Sequence, residues 1–270
     1  MPHSLFFAHA NGFPSGTYTP LFEHLAPTFE VACLDRHAHD PRFPVEDNWQ
    51  ALVDELIHHL EAQSGPVLGV GHSLGGVLHY HAALRRPDLY KGLIMLDSPV
   101  ATWLDQGVVW LAKRLGYFDQ LTPAARTQGR RERFDDLAEA RAYFEQKRLF
   151  RDFAPACLSA YLQHGLEPCE DGVRLRFDPE TELRIYRSFP HRTPGWPLTM
   201  KVPLAMIRGR QSDVIKPHHT WLARLMPQGC ALSLPGSHMF PLEHPGDTAE
   251  AIRTLALGWL GETRKQETFA

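Results

Sequence analysis

No segment of this sequence is long and apolar enough to read as a membrane span. Uncharged apolar runs such as 66–70 and 93–96 fall far short of the roughly 20 residues a spanning helix needs. Cysteine is scarce: Cys33, Cys157, Cys169 and Cys230 are widely spaced and form no C-x-x-C pair. Neither sign of charge dominates, since 28 basic against 31 acidic residues leave −3. That balance provides no basic field for nucleic acid and no polybasic anchor for an anionic membrane. The opening residues carry no basic leader, and their apolar stretch is short for a signal peptide. Together these absences lead us to expect a reduced, cytoplasmic protein without a structural disulfide. Cys33 and Cys230 sit in apolar strand-like runs and are expected to act as small hydrophobes.

What is present is ordinary globular material, with 43% hydrophobic and 22% charged residues over 270 positions. The first part of the chain alternates between two hydrophobic periods. Apolar runs at 5–8, 31–34, 67–70 and 93–96 read as strands. Between them, 18–25, the series Trp49, Leu52, Val53, Leu56, Ile57 and Leu60, and 74–84 have helical spacing. The rhythm breaks at Ser98 and resumes with strands at 204–207 and 231–234 and helices at 218–225 and 247–260. Such alternation predicts an α/β fold: a mostly parallel, doubly wound sheet with helices on both faces. Residues 1–97 and 201–270 are expected to form its core, with 98–200 inserted as a mainly helical cap.

The sequence Gly71-His72-Ser73-Leu74-Gly75-Gly76 lies between a predicted strand and a predicted helix. The pattern G-x-S-x-G needs that context. A serine on a sharp strand-to-helix turn is held above the sheet, and the flanking glycines let strand and helix approach. On these residues the chain resembles the serine-nucleophile branch of the α/β-hydrolase fold superfamily. The resemblance covers nearly everything outside the insertion. It implies a triad in the order nucleophile, acid, histidine, with Ser73 as nucleophile and His238 after the last strand as base. Asp213, after the strand at 204–207, is the expected acid, and Asp97, after the strand at 93–96, is its rival. Glu243 and Pro245 complete an H-x-x-x-x-E-x-P pattern common in the superfamily. The expected oxyanion donors are the backbone N–H groups of Leu74 and Asn11, with Phe13 the alternative to Asn11. In the loop His9-Ala10-Asn11-Gly12-Phe13-Pro14, alanine replaces the superfamily's usual glycine. His9 itself reads as a buried histidine bonding the loop backbone. The antiparallel pair that usually edges the sheet is expected to be missing or very short.

Sixteen histidines invite a metal reading. Yet His37/His39, His79/His81, His58/His59 and His218/His219 are adjacent or alternate residues, no H-E-x-x-H occurs, and a serine triad needs no cofactor. The segment 35–39 resembles the superfamily's D-x-R-G-x-G loop with its glycines replaced, and a structural role is expected for it. The run 126–133 reads as a solvated face, and most insertion aromatics, among them Trp103, Trp110, Tyr117, Phe134 and Phe144, read as core. The resemblance implies a hydrolase acting on carboxylic esters of small soluble substrates through an acyl-enzyme on Ser73. Thioesters, lactones, carbon–carbon bonds next to a carbonyl, or cofactor-free perhydrolysis would use the same triad. A catalytically silent binding protein on the same fold is the reading from another class. The expected partner is a small molecule, the expected assembly a monomer or homodimer.

Overall fold

The structure, a computed structural model, describes residues 2–195, 197–226 and 228–261. Trp196, in the Pro-rich stretch that closes the insertion, and the chain beyond 261 lie outside the described residues. Four strands come first: β1 (His3–Ala8), β2 (Phe29–Cys33), β3 (Val67–His72) and β4 (Tyr90–Leu96). Three short strands follow, β5 (Arg133–Phe134), β6 (Leu166–Cys169) and β7 (Gly172–Leu175), and then β8 (Leu204–Gly209) and β9 (Cys230–Leu234). The main sheet has the order β2-β1-β3-β4-β8-β9, and all its pairings are parallel. No antiparallel pair edges it among the described residues.

The strands alternate side chains between two cores, as a sheet covered on both faces requires. Leu5, Phe7, Ile94 and Leu96 join the core beneath α1 (Thr19–Leu25) and the C-terminal helix at Pro245–Trp259. Phe6, Leu93 and Met95 face the other way, against α2 (Gln50–Glu61) and α3 (Leu74–Arg85). The stripe foreseen on α2 is buried at Leu52, Val53, Leu56, Ile57 and Leu60. Cys33 corrects one expectation. It is exposed, because β2 is an edge strand and leaves one flank uncovered, whereas Cys157 is buried.

Residues 98–200 hold α4 (Trp103–Arg114), α5 (Phe118–Leu121), α6 (Ala124–Thr127), α7 (Leu137–Glu145), α8 (Pro155–His164) and α9 (Pro179–Arg187). They also hold a three-stranded antiparallel sheet, β5-β7-β6, which the helical reading did not anticipate. Its strands are two to four residues long, too short to show an alternating pattern. The aromatic expectation holds for Phe134, Phe144, Phe150 and Phe153, which are buried, and fails for Trp103, Trp110 and Tyr117, which are exposed. This segment is stitched to the rest of the chain by polar contacts. Trp49 Nε1 donates to Ile185 O at 3.0 Å, and Arg176 pairs with Asp35 at 2.7 Å. Asp178 N–H donates to His39 Nε2 at 3.2 Å, so the 35–39 loop has the structural part expected of it.

A close junction lies where α3 begins against β1. A Cβ on Gly75 would stand 2.1 Å from Ala8 O and 2.3 Å from Ala8 C, both main-chain atoms of β1. No rotamer relieves a backbone clash, so only glycine lets α3 begin there. Gly75→Ala is expected to cost roughly 3 kcal/mol, or about 8 °C in Tm, from the forced separation of helix and strand. Gly65→Ala, where a Cβ meets nothing within 4 Å, is the control and leaves Tm within a degree or two in calorimetry. Equal melting of both variants would contradict the steric account.

Candidate active site

Register brings the strand ends together. Ala8 pairs with Gly71, His72 with Leu96, and Leu96 with Ile207, so the loops leaving β1, β3, β4 and β8 emerge at one edge. Ligands of open α/β sheets bind at this carboxyl edge. Ser73 opens α3 with φ 51° and ψ −113°, a conformation few non-glycine residues adopt, and its N–H is held by Leu96 O at 2.9 Å. The strain is the mark of a side chain placed for exposure rather than packing.

His238 follows β9 through Gly236 and Ser237. Glu243 accepts from Ser237 N–H at 2.8 Å and from the Ser237 hydroxyl, which gives the H-x-x-x-x-E-x-P spacing a physical meaning: it clamps the histidine loop. His238 Nε2 lies 3.0 Å from Ser73 Oγ. Its Nδ1 lies 2.7 Å from Asp97 Oδ2. A carboxylate only accepts, so Nδ1 carries the proton and Nε2 is left to accept from the serine hydroxyl.

Here the structure departs from the expected acid. Asp213 is exposed, and its recorded polar contact is made by its main chain, Lys216 Nζ donating to Asp213 O at 2.6 Å. Asp97 is fully buried, with φ 46° at the end of β4. Its Oδ1 accepts from Gly209 N–H at 2.8 Å, and its Oδ2 accepts from Ser212 Oγ at 2.5 Å. The left-handed turn at Asp97 swings its carboxylate under the β8 loop toward His238, and the same loop turns Asp213 out to solvent. Ser212, which the sequence reading passed over, is the residue of that loop that faces inward.

The two expected oxyanion donors differ from the alternative in what already occupies them. Leu74 N–H stands in the first turn of α3, where helix geometry supplies no acceptor. Phe13 N–H is spent on Ala10 O at 3.1 Å, and Phe13's ring packs against Tyr161 at 5.3 Å. No acceptor for Asn11 N–H occurs among the described residues, while Asn11 Nδ2 donates to Glu182 O at 3.0 Å. The buried Glu182 also fills the space beside Gly12 and pairs with Arg130 at 2.5 Å. Burial pushes the Glu182 carboxyl up, with Arg130 opposing. The run 126–133 is therefore only partly a solvated face: Arg130 turns inward to this acid.

Beneath the site runs a chain of buried polar groups invisible in the sequence. Ala10 N–H donates to the Tyr18 hydroxyl at 3.3 Å, which meets His72 Nδ1 at 2.7 Å. His72 Nε2 lies 2.9 Å from the His238 carbonyl oxygen and must donate to it, so Tyr18 donates to Nδ1. His9 is buried as expected, with Nδ1 donating to Ala10 O at 2.8 Å and Nε2 accepting from His37 N–H at 2.8 Å. Among the described residues, Asp105, His218 and His219 form the one three-member group with metal-ligand types close together. Lys216 N–H occupies His219 Nδ1 at 3.1 Å, so its Nε2 bears the proton facing Asp105 and is unavailable as a ligand.

With this geometry in view, comparison with known proteins decides the family. The model of the alpha/beta hydrolase family matches residues 5–251. The chain belongs to that family. Among curated relatives it is similar to the pimeloyl-[acyl-carrier protein] methyl ester esterase of Xanthomonas oryzae pv. oryzae, 29% identical over 95 residues, 35% of this chain and 36% of that protein. Lipase LipV of Mycobacterium tuberculosis is 40% identical over 81 residues, 29% of this chain and 31% of that one. These alignments thus span about a third of the relatives' length. Among solved structures, E-2-(acetamidomethylene)succinate hydrolase superimposes with a TM-score of 0.75 at 21% identity, covering 96% of this chain and 91% of that one. A thioesterase domain from the curacin biosynthetic pathway gives 0.70 at 18% identity, over 94% and 92%. Both likenesses concern the fold.

The buried histidines make stability depend on pH. Burial lowers His72 and His79 to about 3 and His81 to about 4, with a minor contribution from His238, His37 and Arg85 respectively. Below 6.5 the unfolded chain binds protons at these positions and the folded protein does not, so stability is complete above 6.5 and falls as pH drops toward 3–4. From pH 7.5 to 5.5 the three together should remove roughly 4 kcal/mol, at up to ~1.4 kcal/mol per histidine per pH unit. Urea unfolding across that range measures it, and a constant midpoint would contradict the neutral buried state.

Proposed function

We propose that this protein is a serine hydrolase that cleaves carboxylic esters of small soluble substrates through an acyl-enzyme on Ser73. The observation that carries the reading is the continuous relay Ser73 Oγ, His238 Nε2, His238 Nδ1, Asp97 Oδ2, with the serine raised on a strained turn. Ser73 Oγ attacks the ester carbonyl carbon as its proton passes to His238 Nε2. Asp97 holds the imidazole tautomer and stabilises the imidazolium. The tetrahedral oxyanion is met by Leu74 N–H and Asn11 N–H. Collapse expels the alcohol, which takes the proton from His238. Water, deprotonated by the same nitrogen, then attacks the acyl-enzyme and releases the acid.

Residues 98–200 act in this reading as a cap over Ser73: they leave β4 at the sheet's carboxyl edge and bond the loops that emerge there, Asn11 Nδ2 donating to Glu182 O and Asp178 N–H donating to His39 Nε2. An enclosed apolar site favours short to medium acyl chains, each buried methylene adding about 0.8 kcal/mol until the space is filled. The curated relatives, a methyl ester esterase and a lipase, support ester chemistry over thioester, lactone or carbon–carbon cleavage. No step calls for a metal or other cofactor, and we place the reaction in the cytoplasm.

Three measurements test this. Ser73→Ala should abolish fluorophosphonate labelling and lower kcat on p-nitrophenyl butyrate by a factor on the order of 10⁶. Asp97→Asn should lower kcat by roughly 10⁴, while Asp213→Asn stays within a few-fold of wild type. A reversal of the two aspartate variants would assign the acid to the β8 loop. An acyl series from acetate to laurate, clear and emulsified, should peak at short to medium chains, and activity confined to emulsified long chains would overturn the substrate assignment.

A further inference from the structure

Helix α4 presents its apolar side to solvent. Leu104, Val108, Leu111 and Leu115 recur at intervals of three and four, which places them on one stripe. They are 58%, 60%, 48% and 58% exposed, and Trp103 and Trp110 beside them are 67% and 46% exposed. Ala112, at the border of the stripe, is the helix's buried residue, and Asp105, Gln106, Val109 and Lys113 on the side away from it are half-buried. Amphipathic helices normally bury this kind of stripe. The inversion is held in place from beneath. Thr102 and Asp105 cap the helix reciprocally, Asp105 meets His218 at 3.2 Å, and Lys113 pairs with Asp47. These contacts fix the polar side inward, so the helix cannot roll to hide the stripe without breaking them.

Between this stripe and the two tryptophans, near the middle of the exposed face, stands Gly107. Its φ is not left-handed, and a Cβ there would meet nothing within 4 Å. Inside a helix glycine is less favourable than alanine, and no contact among the described residues calls for it here. A small residue near the centre of an apolar face is what lets a second helix backbone come close.

We propose that α4 packs against α4 of a second copy of this chain about a two-fold axis passing near Gly107. A patch of this kind is self-complementary, as a two-fold interface demands. The six exposed side chains offer roughly 700 Å² per copy, close to the ~800 Å² each partner contributes to a standard stable interface. Charge selects this occupant over a lipid surface. No ionised side chain lies within the stripe, Lys113 is committed to Asp47, and Arg114 lies over the Trp110 ring at 5.6 Å. An anionic bilayer would find one free cation, Arg114 at the border of the face, and no cluster, whereas a second copy covers Leu104, Val108, Leu111 and Leu115 without desolvating a charge on the stripe.

Sedimentation velocity on the full chain from 1 to 50 μM tests the pairing. Wild type is expected at twice 30.6 kDa in the upper part of that range. Val108→Asp should return it to a monomer, with at least a tenfold rise in the dissociation constant. Gly107→Ala should weaken association while leaving Tm unchanged or raised, an outcome that separates close approach from misfolding. Near-UV circular dichroism verifies that both variants are folded. A monomeric wild type throughout, or a dimer indifferent to both substitutions, would overturn the proposal. So would co-sedimentation of monomeric wild type with phosphatidylcholine–phosphatidylglycerol vesicles, which would make lipid the occupant.

Discussion

One fully buried carboxylate organises the edge of this sheet. Asp97 ends β4 and accepts from the backbone of Gly209, the hydroxyl of Ser212 and the imidazole of His238. Each of these belongs to a segment that would otherwise be independent: the end of β8, the loop beyond it, and the loop after β9. A charge out of contact with water is tolerated only when donors surround it, and here they do. The satisfaction of Asp97 and the placement of His238 are therefore one arrangement. A neutral amide at that position would lose the charge and turn an NH2 donor against at least one of these donors.

The second constraint is steric. Ser73 reaches its raised position because α3 begins against β1 with no room for a Cβ at Gly75. The glycines contribute by being absent as side chains, and the strain at Ser73 is borne by the register of three strands. Residues 98–200 are tied to the loops of this edge by three polar contacts: Asn11 to Glu182, His39 to Asp178, Asp35 to Arg176.

Much of this was legible in the sequence. The hydrophobic periods located the strands and helices of the main sheet, because burial on two faces leaves a strong pattern. The strand-to-helix turn at Ser73 and the loop that bears His238 were legible because turn chemistry constrains their neighbours. The aspartate that meets His238 was not. Asp97 and Asp213 both follow strands, and only the left-handed turn at Asp97 and the inward Ser212 separate them, neither of which leaves a residue-type signature. Arg130 read as solvated because its neighbours are charged, and its partner Glu182 is 52 positions away. Trp103 and Trp110, read as core and found exposed, misled in the opposite direction: spacing reports that a face is apolar, never what covers it.

The buried chain from Ala10 through Tyr18 and His72 to the His238 carbonyl joins the two loops that flank Ser73 from opposite sides. Its directionality is fixed, since each member has one role open once its neighbour has chosen. Displacing either loop breaks a bond that the other relies on. The loop that bears His238 and the loop that bears Asn11 are thus tied into one unit beneath the sheet edge. Substitutions on the two sides should then combine non-additively, with the second change costing less than it does alone.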